Sequence, residues 1–336
     1  MKITDTRTLA RADIALTALG LGCAQMGHLL KHTPFADAQA TAEAAWDLGI
    51  RYFDTAPFYG FTRSERRLGA LMDDRPRAEF RLSTKVGRLM VPEPAPRAED
   101  AGFVDPSPFV QLYDYSYDAI LRAFEASRQR LGLARIDILY VHDIETGVHG
   151  EAHGRHWAAL TKGGGFRALS ELREAGAIGA FGLGVNDAQA VRDALEECDL
   201  DVSMLAGRYT LLEQESLDLL AACHARGAGI VAAGVFNSGI LAGNGNFNYG
   251  TAPEAMIRRT EGLRGVAAEF GIPLQAAALQ FPLAHPAVVS VVVGARNAAQ
   301  IRANAAWFET QIPPDFWTAL TERGLLAEGV PHPGAG

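Results

Sequence analysis

Short, almost continuously apolar runs alternate with longer amphipathic stretches along the whole chain, and this alternation constrains the fold more than any other feature. The runs cover 16–22, 51–54, 81–85, 136–142, 178–184, 202–206, 229–233 and 288–293. Strands this apolar bury both faces, as parallel strands under helices do. The stretches between them carry helix punctuation. Residues 36–48 have Asp37 near the start and Gly49 after the end, 116–131 is followed by Gly132, and 213–226 by Gly227. Over 336 residues, eight such units take about 42 residues each, enough for a strand, a helix and two loops. The pattern predicts a (β/α)8 TIM barrel of α/β class, one domain over 1–336, with functional groups at the C-terminal ends of the strands. A doubly wound sheet would want a glycine-rich turn and a helix directly after its first strand. Gly20-Leu21-Gly22 supplies only part of that turn.

Two regions exceed the repeat. Residues 89–114 hold five prolines and read as a long loop after the third strand. Residues 142–165, rich in His and Gly, read as another after the fourth, and 329–336 as a loose tail. The chain has 39 acidic against 31 basic residues, a net charge of −8, and no dense basic cluster. That argues against a nucleic-acid partner. The absence of an eighteen-residue apolar run argues against a membrane span. Residues 1–11 lack the apolar stretch of a secretory signal, and Cys23, Cys198 and Cys223 are too widely spaced for a disulfide framework. The expectation is a cytoplasmic protein acting on a small molecule; oligomeric state is not legible.

The predicted strand ends carry chemistry. The second gives Asp54, with Tyr59 five residues on; the third ends in Lys85; the fourth ends in His142. A free phenol titrates near ~10, too high for a base at neutral pH. A neighbouring ammonium is expected to lower it, a carboxylate to hold that ammonium, and an imidazole to position a substrate oxygen. Taken singly, each residue also reads as a structural ion pair, a packed tyrosine or a core histidine. Converging on one barrel mouth, they read as a proton-transfer site. His149 and His153 have HxxxH spacing, but Gly150 and Gly154 argue against the helix a metal site would need, so no metal is expected.

The ordered set of motifs resembles the aldo-keto reductase family over nearly the whole chain. It comprises Leu19-Gly20-Leu21-Gly22, Phe53-Asp54-Thr55-Ala56, Tyr59-Gly60, Ser64-Glu65-Arg66-Arg67-Leu68-Gly69 and Ser83-Thr84-Lys85. Arg135-Ile136-Asp137, Tyr140-Val141-His142-Asp143, Gly184-Val185-Asn186, Arg208-Tyr209-Thr210-Leu211-Leu212 and Gly294-Ala295-Arg296 follow in order. The resemblance implies that Tyr59 is the general acid/base, that Lys85 and Asp54 tune it, and that His142 orients the substrate oxygen. It also implies a nicotinamide cofactor, NAD or NADP, on a barrel without a Rossmann fold. Asn186 would hydrogen-bond the carboxamide of the nicotinamide, and Gly22 would belong to the cofactor site as well. Gly234, Phe236, Asn237, Ser238, Gly239 and Leu241 would cover the pyrophosphate, and Gly294, Ala295, Arg296, Gln300 and Asn304 the adenosine end. Val185, Ala206 and Ala233 depart from common family residues around the nicotinamide. Gly294 and Gln300 stand where many members carry basic residues for a 2′-phosphate, which tilts the expectation to NAD, with Arg296 left to pair with that phosphate.

Within the family, 206–212, 233–239 and 281–286 resemble the branch of aldose 1-dehydrogenases acting on D-threo-aldoses such as L-fucose; pyridoxal 4-dehydrogenases are similar to the same branch. The resemblance implies oxidation at C1 of a cyclic sugar to a lactone, with Tyr59 taking the hydroxyl proton while hydride leaves for the nicotinamide. Pyridoxal oxidation and general aldehyde reduction are the alternatives. A cofactor-bound binding or regulatory subunit with little turnover is the alternative from another class.

Overall fold

A computed structural model describes residues 1–334. Eight parallel strands close into a barrel in chain order, with β8 pairing back onto β1. They are β1 (Leu19–Gly22), β2 (Tyr52–Asp54), β3 (Arg81–Val86), β4 (Ile136–His142), β5 (Ile178–Val185), β6 (Val202–Ala206), β7 (Gly229–Ala233) and β8 (Val288–Gly294). All eight run the same way, so their C-terminal ends share one rim. Register aligns those ends: Gly294 lies beside Gly22, Gly22 beside Asp54, Asp54 beside Ser83, and His142 beside Gly184.

Helices follow the strands in turn: α1 (Phe35–Asp47), α2 (Arg63–Met72), α3 (Tyr117–Leu131), α4 (Gly165–Glu174), α5 (Ala188–Glu197), α6 (Leu217–Ala225), α7 (Leu274–Gln280) and α8 (Ala298–Phe308). In α3, Ala119, Ile120, Ala123, Phe124, Ser127 and Leu131 form the buried stripe, and Gly132 ends the helix at φ 67. That left-handed conformation is one glycine adopts without penalty. The sixth helix starts at Leu217 rather than 213 because Arg208 and Glu213 brace the preceding turn through hydrogen bonds of 2.7 and 2.8 Å.

The barrel interior is packed rather than open. Tyr52, Ile138, Tyr140, Val202, Met204, Val231 and Val292 share one core cluster with Leu9, Ile14 and Leu16. The latter three come from a hairpin pairing Thr6–Thr8 with Ala15–Thr17, which seals the N-terminal end of the barrel. The expected first strand, 16–22, therefore divides. The Ala18 N–H bonds Asp5 O, and the chain turns there from hairpin into barrel.

Both long loops contain more structure than expected. Arg88–Pro92 pairs antiparallel with Phe109–Tyr113, and most of the prolines lie in the connection between those strands, where no ladder donor is needed. His153–Leu160 is helical despite Gly154, which sits in the first turn. The tail is seated as far as it is described: Val330 is buried, and His332 stacks on Trp317 at 6.1 Å and 14°. The last two residues of the expected tail, 335 and 336, lie outside the described residues. Among the described residues no helix is long and apolar enough to cross a membrane.

Candidate active site

The second strand ends on Asp54 and the fourth on His142, while Lys85 stands in β3 beside Tyr140. The Lys85 Nζ donates to Asp54 Oδ1 and Oδ2 at 2.9 and 2.7 Å and to Thr55 O at 2.9 Å. Ser83 Oγ adds a bond of 2.7 Å to Asp54 Oδ1 and continues through Tyr52 and Tyr140 into the core. Tyr59 lies on the turn after β2. That turn presses backbone to backbone on 24–27: a Cβ on Gly60, at φ 67, would stand 2.3 Å from Gly27 O. Only glycine fits there. The turn holds the Tyr59 ring 4.8 Å from Lys85 Nζ and 5.9 Å, edge-on, from the His142 ring.

Electrostatics partly overturn the simplest expectation for Tyr59. Burial, with the Asp54 and Asp143 carboxylates, pushes its phenol well above 10, whereas a lone ammonium would have lowered it. The reason is visible in the contacts: every Lys85 donor is committed to Asp54 and Thr55, so that charge is largely spent on the carboxylate. Tyr59 is therefore held as a protonated phenol, ready to donate. Burial, then Arg88 and Lys85, push the His142 imidazole well below 6.5. It is neutral at physiological pH, with Nδ1 buried and unpartnered and Nε2 3.5 Å from Asp143 Oδ2.

Sequence reasoning missed a second ion pair beside the first. Arg88, two residues past β3, meets Asp143, directly after β4, through Nη2 and Oδ2; both side chains are largely buried. Its guanidinium lies 3.9 Å over the Phe58 ring and donates to Gln111 Oε1 at 2.6 Å. The signal available was an arginine following the Lys85 motif, unremarkable until the hairpin places Gln111 beside it. Together Tyr59, Lys85, His142, Asp143 and Asn186 line a cavity of about 320 Å³.

A larger groove of about 720 Å³ adjoins this cavity, and Leu29, Ala101 and Tyr249 rim both. Gly234, Phe236, Ser238, Gly239 and Gly294 line the groove. Asn237, Ser238 and Gly239 run at φ 46, 60 and 106, a left-handed turn closed by the Asn237 and Gly239 N–H groups, which donate to Gly234 O and Phe236 O at 2.8 and 2.9 Å. Gln25 lines the groove as well, and its Oε1 is buried without a partner. A Cβ on Gly294 would lie 2.4 Å from that same amide.

Other expected cofactor residues sit elsewhere. Asn237 is buried and bonds Thr210 Oγ1 at 2.6 Å; Leu241 and Ala295 are core residues. Asn304 supports Gly294 O from behind at 3.4 Å, and Gly22 faces Val292. Arg296 is not free for a phosphate. It donates to Lys31 O and Thr33 Oγ1 at 2.8 Å and to Leu29 O at 2.7 Å, while Gln300 accepts from its N–H. Asn186 reaches the smaller cavity, where its Oδ1 accepts from Tyr249 O–H at 3.2 Å. Tyr249 was another residue sequence reasoning missed, carried over the mouth by a hairpin, Asn246–Phe247 with Gly250–Thr251. The His149 ring stacks near His156 at 4.3 Å, but its Nε2 is held by Tyr115 O–H and Asp143 O, and His153 turns to Ile144 O.

The profile of the Aldo/keto reductase family matches residues 18–323. The chain belongs to that family. It is 50% identical to a pyridoxal 4-dehydrogenase of Microbacterium luteolum over 97% of this chain and 99% of that protein. It is 42% identical to a D-threo-aldose 1-dehydrogenase of a Pseudomonas species over 94% and 97%. The fold superposes on the holo structure of an aldo-keto reductase from Bacillus halodurans with a TM-score of 0.73, at 22% identity, over 99% and 100% of the two chains. As an aldo/keto reductase the protein is a nicotinamide-dependent oxidoreductase with dehydrogenase relatives acting on CH–OH or aldehyde groups.

Proposed function

We propose that this aldo/keto reductase oxidises a cyclic hemiacetal to a lactone with NAD as hydride acceptor. The supporting observation is the junction of two spaces: a small cavity walled by Tyr59 and His142 opens beside a glycine-lined groove. The two dehydrogenase relatives point to the substrate type. An aldose and pyridoxal are both aldehydes that close on a hydroxyl of the same molecule to give a hemiacetal. An aldose such as L-fucose and pyridoxal are the two candidates. The three free cysteines favour a reducing, cytoplasmic setting.

The groove fits a nicotinamide dinucleotide: the orphaned Gln25 Oε1 wants a donor, and its glycines admit a ligand close to the backbone. No Lys or Arg lines it among the described residues, which favours NAD over NADP. Phosphate binding would rest on Ser238, which lines the groove between the internally bonded N–H groups of Asn237 and Gly239. When bound, the nicotinamide accepts or returns the hydride. The chain's own residues handle the proton. His142, neutral, shares a hydrogen bond with the hydroxyl oxygen and fixes its place. In oxidation Tyr59 first gives its own proton to solvent and then, as phenolate, takes the hydroxyl proton as the hydride leaves. In reduction the phenol donates directly, and the Lys85–Asp54 pair holds its surroundings rigid.

The test is a set of initial rates for nicotinamide reduction on L-fucose, other D-threo-aldoses and pyridoxal with NAD and with NADP, with the product weighed by mass spectrometry. The proposal expects a product two hydrogens lighter than substrate and a higher kcat/KM with NAD. Cofactor binding without turnover on the whole panel would favour the binding-subunit reading instead.

A further inference from the structure

The Asp143 carboxylate is the part of the cavity wall that proton and hydride transfer leave unused. It follows His142 directly, at φ 47, in the left-handed region that aspartate tolerates better than most residues. Its Oδ2 is taken by Arg88 and lies 3.5 Å from His142 Nε2. Among the described residues its Oδ1 accepts no hydrogen bond, and the residue lines the catalytic cavity. Arg88 cannot swing away, being stacked on Phe58 and bonded to Gln111. A carboxylate oxygen that faces the cavity without a protein donor leaves hydrogen-bonding capacity for a ligand to fill.

The place of the carboxylate beside His142 says which ligand group fills it. The reacting oxygen is held at His142, and the carboxylate begins one contact distance further along the wall. A hydroxyl on the carbon next to the reacting carbon is the nearest donor a substrate could offer. We propose that Asp143 reads this neighbouring hydroxyl, so that the substrate class is uncharged hemiacetals that carry it. This rests on the oxidation reading above. It separates the two candidate substrates: an aldose has a C2 hydroxyl beside C1, whereas the pyridoxal ring hydroxyl stands one carbon further from its reacting carbon. Recognition by Asp143 therefore favours the aldose.

The test uses the full chain, wild type and Asp143→Ala, with L-fucose and L-galactose each against its 2-deoxy analogue. Both kcat/KM and the substrate dissociation constant in the presence of NAD are read. A hydrogen bond to a charged acceptor predicts that wild type prefers each hydroxylated parent by about tenfold or more. In Asp143→Ala the preference should fall to about unity, because any general damage acts on both members of a pair. Equal handling of parent and deoxy compound by wild type overturns the proposal, as does an undiminished preference in the variant. If Asp143→Ala does not fold, the wild-type ratio and the isosteric Asp143→Asn decide the matter. Wild type that binds the parents more tightly but oxidises none of them overturns the oxidation reading and leaves recognition by Asp143 standing.

Discussion

Replacing Lys85 with methionine separates the structural from the chemical role of the buried pair. Lys85 and Asp54 expose 2% and 3% of their side chains, and all three ammonium donors are used within 2.9 Å. Lys85→Met keeps the apolar stem but leaves the Asp54 carboxylate in the core with only Ser83 Oγ as a side-chain donor. Removing one partner of a buried pair typically costs about 3–5 kcal/mol, because the remaining charge is uncompensated. A second change, Asp54→Asn, deletes that charge. The double variant should therefore regain much of the lost stability while staying inactive, since the cation beside Tyr59 is still missing. Urea unfolding followed by tryptophan fluorescence at pH 7 measures the first quantity, and nicotinamide reduction the second. If the double variant is as unstable as Lys85→Met, the loss comes from packing rather than the orphaned charge. If Lys85→Met unfolds at the wild-type urea concentration, the pair carries none of the stability assigned to it.

Six histidines are depressed below their ordinary value of 6.5, each chiefly by burial: His142 well below it, His28 and His149 to about 4, and His156, His285 and His332 in the same direction. Below about pH 6.5 the unfolded chain then binds more protons than the native one, so stability should fall as pH drops from about 6.5 towards 4. His142→Gln should flatten that slope in urea titrations at pH 7 and 5; an unchanged slope contradicts the assignment. Arg296→Ala should weaken NAD and NADP together by loosening residues 29–33, leaving the ratio of their KM values within about twofold. A loss confined to NADP would show that Arg296 reaches the 2′-phosphate after all.

The barrel and the convergence of Asp54, Tyr59, Lys85 and His142 were readable because the features are local and regular. Apolar runs mark buried parallel strands, and a polar residue closing such a run marks the rim. Asp54, Lys85 and His142 each stand out in this way. What was not readable depends on partners far away in sequence. Nothing near Arg296 announces that Leu29, Lys31 and Thr33 will consume its donors. Nor does the sequence around Arg88 reveal Asp143, because the pair forms only when adjacent strands place their following residues together. The direction of the Tyr59 shift failed for the same reason. Residue types suggested an ammonium acting alone, while the folded site adds burial and two carboxylates that outweigh it. The proline-rich segment misled differently: its prolines mark the connection of a hairpin, and the strands lie on either side.

The most direct test of the account is Tyr59→Phe, which removes one oxygen and leaves the ring that packs near Lys85 and His142. Cofactor affinity, read by quenching of tryptophan fluorescence, should stay within about twofold of wild type, while kcat for the best hemiacetal falls by about a hundredfold or more, the scale of a lost acid–base group. A variant that binds cofactor and retains a near wild-type kcat would contradict the assignment of Tyr59 as the proton-transfer group.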